Sequence, residues 1–177
     1  MTSLAARLGE SRHASVLLRR LRRLGLCDLR DLIAIAVQRG CTHYRSAADG
    51  SDANDPGRDV LADEELAVAL LTGEHPFDPV ALRCAAQLVS GAGIDSHRLS
   101  FLARRERCER ALAHIARAGM AHDEKDREFW KALLDSLRSP QPVPPGVLPH
   151  WTRFAVLTGV QSGGRREIKS VWLRARR

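Results

Sequence analysis

Residues 78–119 hold two helix starts in succession with glycines between them, and this commits the middle of the chain to helical hairpin geometry. Asp78 can cap the free amides of a first turn, and Pro79 behind it loses nothing at the first helical position. Val80, Ala81, Leu82, Cys84, Ala85, Leu88 and Val89 make this helix more apolar than an exposed helix needs, so it is expected to be buried on most sides. Gly91 and Gly93 end it, and Asp95 or Ser96 starts a second helix expected to run to about Gly119. Phe101, Cys108, Leu112 and Ile115 fall on one face of that second helix. Arg104, Arg105, Glu106, Arg107, Glu109 and Arg110 are expected in solvent or at an interface.

A helix, a short glycine turn and a second helix carrying Arg98, Arg104, Arg105 and Arg107 have the outline of a DNA-reading helix-turn-helix. Leu88, Gly93, Ile94, Leu99 and Leu102 occupy roughly its turn and interior positions. Val89 departs from the small residue such a motif uses, and the second helix is long for a recognition helix. An antiparallel helical hairpin with a charged outer face is the alternative.

Charge is unevenly spread along the 177 residues, whose formal net charge is +7. The first 45 residues and the segment 83–118 are basic, and 139–177 is basic again, whereas 46–82 holds one arginine against nine acids. Such blocks can attract an anionic partner, or the acidic block can neutralise a basic one within the fold. Arginine outnumbers lysine 25 to three, a bias that a GC-rich genome also produces. Long apolar runs are absent, and none approaches the ~18 residues of a membrane span. Four dispersed cysteines, Cys27, Cys41, Cys84 and Cys108, fit a reducing, cytoplasmic setting rather than a disulfide scaffold. No secretory signal core is present, although residues 1–24 share the Arg-rich, acid-poor composition of a transit peptide.

Residues 1–12 read as a loosely docked terminus. Ala14 to Leu24 forms an amphipathic helix with Leu17, Leu21 and Leu24 on one side and Arg19, Arg22 and Arg23 on the other. A second helix runs from Asp28 to Gly40, giving a first hairpin with Leu29, Leu32, Ile33, Ala36 and Val37 inward. Ser46 to Asp59 is small, polar and acidic, and is expected to be a mobile loop that lacks the positions of a calcium-binding loop. Asp63 to Leu71 is a third helix with its acids at the positive end of the dipole and Leu66, Leu70 and Leu71 inward. Asp123 to Leu137 is a sixth, buried through Phe129, Trp130, Leu133, Leu134 and Leu137. Residues 139–149 contain five of the eight prolines and form a stiff strap. Trp151 to Val160 and Arg166 to Arg174 alternate as two strands around QSGGR, a hairpin that must pack on the helices or on another chain. A basic hairpin after a helical domain also resembles the wing of winged-helix DNA binders, with Arg165, Arg166 and Lys169 near the tip.

Chemistry is less legible. Cys41 and His43 could form one half of a zinc site, but no second pair stands at the required spacing. His114, His122, Asp123 and Glu124 read as a helix-end cation and exposed caps. Glycine-rich phosphate loops and serine nucleophile elbows are missing. The expectation is therefore a mainly α bundle-like domain of about six helices over 1–138, a strap over 139–150 and a basic hairpin over 151–177. Its function is expected to be non-catalytic binding without metal or cofactor, with DNA or RNA contacted by Arg19, Arg22, Arg23, Arg98, Arg104, Arg105, Arg107, Arg165, Arg166 and Lys169. The alternative is a protein-interaction or homo-oligomeric assembly module whose charges only solvate it.

Overall fold

The sequence ELAVALL within Asp63–Leu71 has no polar side after its first residue, and a helix that is apolar all round must be enclosed by others. In the computed structural model this segment is α4, and Leu66 to Leu71 are all buried. The model describes residues 2–11, 13–26, 28–41, 61–91, 93–138, 140–162 and 165–175, without the side chains of 157–169. The acidic loop of 46–60, Cys27 and His43 lie outside the described residues.

Around α4 stand α2 (Val16–Arg23), α3 (Leu29–Gln38), α5 (Pro79–Val89), α6 (Ser96–Arg105) and α7 (Glu109–His122), while α8 (Arg127–Ser136) closes over α6 and α7. A short α1 (Leu4–Arg7) precedes them, so the described residues form eight helices rather than about six. α5 packs chiefly on α4 and α3, and α6 on α8 and α4. The pair outlined by the sequence is thus not each other's principal partner, as the two helices of a helix-turn-helix are.

Two differences from expectation explain the extra helices. Residues 2–11 are docked rather than loose: Leu4, Ala5 and Leu8 are buried, the Leu4 amide donates to the His75 carbonyl at 3.1 Å, and the Phe77 amide donates to the Thr2 carbonyl at 2.9 Å. Their apolar residues have a groove to fill, beside Gly73, where an added Cβ would stand 2.7 Å from the Ala5 Cβ. The expected helix from Ser96 to Gly119 is broken at Glu106–Cys108, where Arg107 takes φ +53°. The Cys108 amide reaches back to the Ala103 carbonyl at 3.0 Å and the Arg107 amide to Arg104 at 3.2 Å, a Schellman closure with arginine at the position glycine usually fills. Phe101, expected inward, is exposed, and Glu106, expected in solvent, is buried.

Gly119 does not end α7, which continues to His122. It is a notch: a Cβ there would lie 2.3 Å from Cε2 and 2.4 Å from Cδ2 of the fully buried Trp130 on α8. Gly119→Ala is expected to lower stability by about 1–3 kcal/mol in denaturant unfolding, since overpacking against a rigid indole exceeds the ~1 kcal/mol gain in helix propensity. Unchanged or increased stability would show that α7 and α8 have room to separate.

The hairpin is present as β1 (Ala155–Ser162) and β2 (Arg165–Trp172), antiparallel, in a register that runs from Ala155↔Trp172 to Ser162↔Arg165. Trp151–Arg153, expected to begin the first strand, is a 3₁₀ turn. At its base Trp172 packs on Trp130 and Phe154, with ring centroids 5.3 and 5.8 Å away. Arg174 then forks onto the buried Asp123 carboxylate at 2.7 and 2.8 Å. The prolines of 140–149 cannot pair with one another, so helix side chains serve their carbonyls. Arg117 donates to Pro140, Arg110 to Gln141 and Pro142, Arg7 to Gly146 and Val147, and His114 bonds Pro149 at 2.8 Å.

Candidate nucleic-acid interface

α2 starts at Ser15, whose hydroxyl accepts the Leu18 amide at 2.9 Å. Leu17, Leu18 and Leu21 face the core, which turns Arg19 and Arg23 outward on the opposite side, with Arg20 and Arg22 on the flanks. Each flanking arginine meets an acid from the acidic segment. Arg20 pairs with Glu65 on α4 at 2.9 Å, and Arg22 with Glu74 at 3.1 Å, where Glu74 also accepts the Ser15 amide. Arg39 and Asp63 form a third such bridge at 2.7 Å. Part of the acidic block therefore neutralises basic residues inside the fold, and the two pairs with exposed arginines, Arg20–Glu65 and Arg22–Glu74, contribute about 0–1 kcal/mol each.

α6 is capped by Asp95, which accepts the His97 and Arg98 amides. Leu99, Ser100, Leu102 and Ala103 are buried, leaving Arg98, Phe101, Arg104 and Arg105 along the outer side. Phe101 is 58% exposed. At the end of α6 the chain turns through Glu106, only 2% exposed. Its carboxylate accepts the Ser15 hydroxyl at 2.7 Å, the Leu17 amide at 3.2 Å and the Arg105 Nε at 2.9 Å. One acid thus caps α2 from outside and seats the carboxyl end of α6 against the amino end of α2. The elements that carry the first two arginine groups meet at this point. Arg19 is one turn from that junction and Arg23 two, about 6 and 12 Å along the axis. Arg19, Arg23, Arg98, Arg104 and Arg107 are exposed and have no ion-pair partner among the described residues.

Among the described residues the third expected group is carried by a hairpin whose main contacts are with α7 and the Trp151–Arg153 turn. The hairpin base is tied to α5, α7 and α8, where Ser170 donates to the His122 carbonyl and Ala175 to that of Gln87. His122 ends α7, whereas Arg107 precedes its start, so the 14-residue helix separates them by about 20 Å. Arg165, Arg166 and Lys169 sit on β2 opposite Ser162, Gln161 and Thr158, and their side chains lie outside the described residues.

Two clefts gather other titratable side chains. One of about 430 Å³ is lined by His122, Asp123, Lys125, Ser170, Trp172 and Arg174. Asp123, expected as an exposed cap, is instead consumed by Arg174 and by the Trp130 Nε1, which donates at 2.9 Å. The His122 ring stacks on Trp151, centroids 3.7 Å apart, and burial followed by the nearby His150 lowers its pKa. Burial likewise lowers His114 and His75 and raises Cys108. Cys41 is raised by hydrogen bonding to Cys84 and by burial, and a thiol held protonated in this way is a poor nucleophile. Among the described residues no three His, Cys, Asp or Glu side chains converge as a metal site, and no helix is long and apolar enough to cross a membrane.

A second basic cleft, about 250 Å³, gathers Arg7, Arg83, Arg153 and His150 from distant parts of the chain. Sequence spacing carries no trace of it, because only the docking of α1 and the strap brings these residues together. Arg7 also lies over the Phe77 ring at 4.1 Å. Comparison with protein families, with curated proteins and with solved structures finds no match for this chain.

Proposed function

We propose that the protein is a non-catalytic nucleic-acid-binding protein that neutralises phosphates with a continuous arginine surface formed by α2 and the α6–α7 corner. The observation that supports this reading is Glu106, which ties the amino end of α2, the helix of Arg19 and Arg23, to the corner that holds Arg104 and Arg107. Arg98 extends the surface along α6, while Arg22 and Arg105 contribute from the edge of their ion pairs. Guanidinium groups on helices give strong phosphate contacts and little base reading, so affinity should follow salt more than sequence. The hairpin residues Arg165, Arg166 and Lys169 belong to this reading as a separate contact on β2.

Binding to duplex DNA and to single-stranded RNA across a salt series tests it. The expected result is a log-log slope of several units that falls by about two to three when Arg104, Arg105 and Arg107 are replaced together by alanine. Absence of binding at low salt overturns it. The runner-up, a protein-interaction module, rests on the exposed cross-strand pair Val156 and Val171 and on a hairpin with two unpartnered edges among the described residues. It predicts association through the hairpin that salt does not weaken.

A further inference from the structure

The neighbours of Phe101 on the helix surface are the residues three and four positions away. All four are basic: His97, Arg98, Arg104 and Arg105. A large aromatic ring left 58% exposed at the centre of such a set is poorly explained by stability, since nothing among the described residues covers it and burial elsewhere would remove it from water. On the α8 side, His97 reaches only the Ser136 hydroxyl at 3.4 Å, and the exposed Asp135 and Glu128 point away from α6, on the side of α8 opposite Trp130 and Leu133. On the α4 side, Glu64 is already occupied by the Asp95 amide. The ring is therefore more than half in solvent, with basic residues on both sides of it along its own helix.

Resting on the phosphate-binding reading above, we propose that Phe101 is a base-stacking platform and that the α6 face takes single-stranded nucleic acid in preference to duplex. A guanidinium neutralises a phosphate on either kind of strand, but an aromatic ring gains only from a base whose face is uncovered. Duplex stacking hides those faces, while a single strand can lay one on Phe101 with its flanking phosphates on Arg98 and Arg104. Every base offers such a face, so selection is for strandedness and not for sequence.

The test compares wild type, Phe101→Ala, Phe101→Trp and the Arg104, Arg105, Arg107 triple alanine variant. The probes are an oligothymidine of about 20 nucleotides, its duplex, an abasic strand of equal phosphate count and polyglutamate. Expected for Phe101→Ala is a loss of about five-fold to a hundred-fold on the single strand, with duplex binding, abasic binding, salt slope and unfolding midpoint unchanged. Phe101→Trp should restore the affinity. Equal loss on single strand, duplex and abasic strand would overturn the stacking role. So would an unchanged Phe101→Ala beside a weakened arginine variant, an outcome that leaves the phosphate reading standing. Failure of wild type to bind any strand at low salt removes both readings. Polyglutamate binding that equals oligothymidine binding, and that Phe101→Ala weakens, would assign the ring to an acidic protein partner instead.

Discussion

Glu106→Ala is expected to lower unfolding stability by about 3–5 kcal/mol, the largest effect of any single substitution at the proposed interface. The side chain is fully enclosed and holds three donors, the Ser15 hydroxyl, the Leu17 amide and the Arg105 guanidinium. Removing it strands the first two in the interior, at about 1–3 kcal/mol for each unmet donor, and takes a favourable anion from the positive end of α2. Arg105 loses less, because its own side chain is 41% exposed and water can replace the carboxylate. Glu106→Gln should fall between, since an amide oxygen can still accept from α2 but its NH₂ meets another donor. Denaturant unfolding checks both variants. A loss below about 1 kcal/mol for the alanine variant would mean that α2 is held by its leucines alone. Under stabilising conditions the alanine variant should also lose part of the salt slope contributed by Arg19 and Arg23, because the amino end of α2 would no longer be tied to the end of α6.

The second large effect lies at the other end of α7. Asp123→Ala is expected to cost about 2–4 kcal/mol, because it strands the buried Trp130 Nε1 and takes both acceptor oxygens from Arg174 Nη2, while Nη1 keeps Asp126 at 2.9 Å. A two-stranded hairpin has little stability of its own, so its order depends on these attachments at its base. Hydrogen exchange of β1 and β2 should accelerate in the variant well before that of α4 and α5. Asp123→Asn, which keeps an acceptor for the indole, should cost less and should still loosen the hairpin through loss of the charge opposite Arg174. Protected hairpin amides in Asp123→Ala would show that Trp172 against Trp130 and Phe154 is a sufficient anchor.

Helix ends illustrate what local sequence conveys here. Asp28, Asp78 and Asp95 cap α3, α5 and α6 as their positions announce, and Pro79 opens α5. Gly25 and Gly40 close α2 and α3 at φ +85° and +95°, where a residue without Cβ pays no steric cost. Arg107 does the same work at the end of α6 with no such mark in the sequence. A left-handed arginine costs on the order of 1–3 kcal/mol and persists only when its surroundings demand it. The demand comes from Glu106 and the amino end of α2, some 90 residues earlier in the chain.

The same division runs through the candidate interface. Arg19, Arg23, Arg98 and Arg104 are legible as basic helix residues from periodicity alone, whereas Arg107 falls in the turn and Phe101 points outward because the apparent stripe crosses the hidden break at Glu106–Cys108. Once α6 and α7 are separate helices, each takes its own rotation about its axis, and position 101 turns outward. The converging arginines of the strap cleft and the burial of Asp123 were not legible at all, since no local spacing relates Arg7 to Arg153 or Asp123 to Arg174.

By itself the sequence determined a mainly helical protein with a carboxy-terminal antiparallel hairpin, because capping, 3.6-residue periodicity and a switch to two-residue alternation act over a few residues. Only the tertiary structure decided which helix is central, where the long helix breaks and which acids are enclosed. Those outcomes depend on burying particular carboxylates, Glu106 and Asp123, against donors distant in sequence, and the free energy of such contacts exists only after the chain has brought them together.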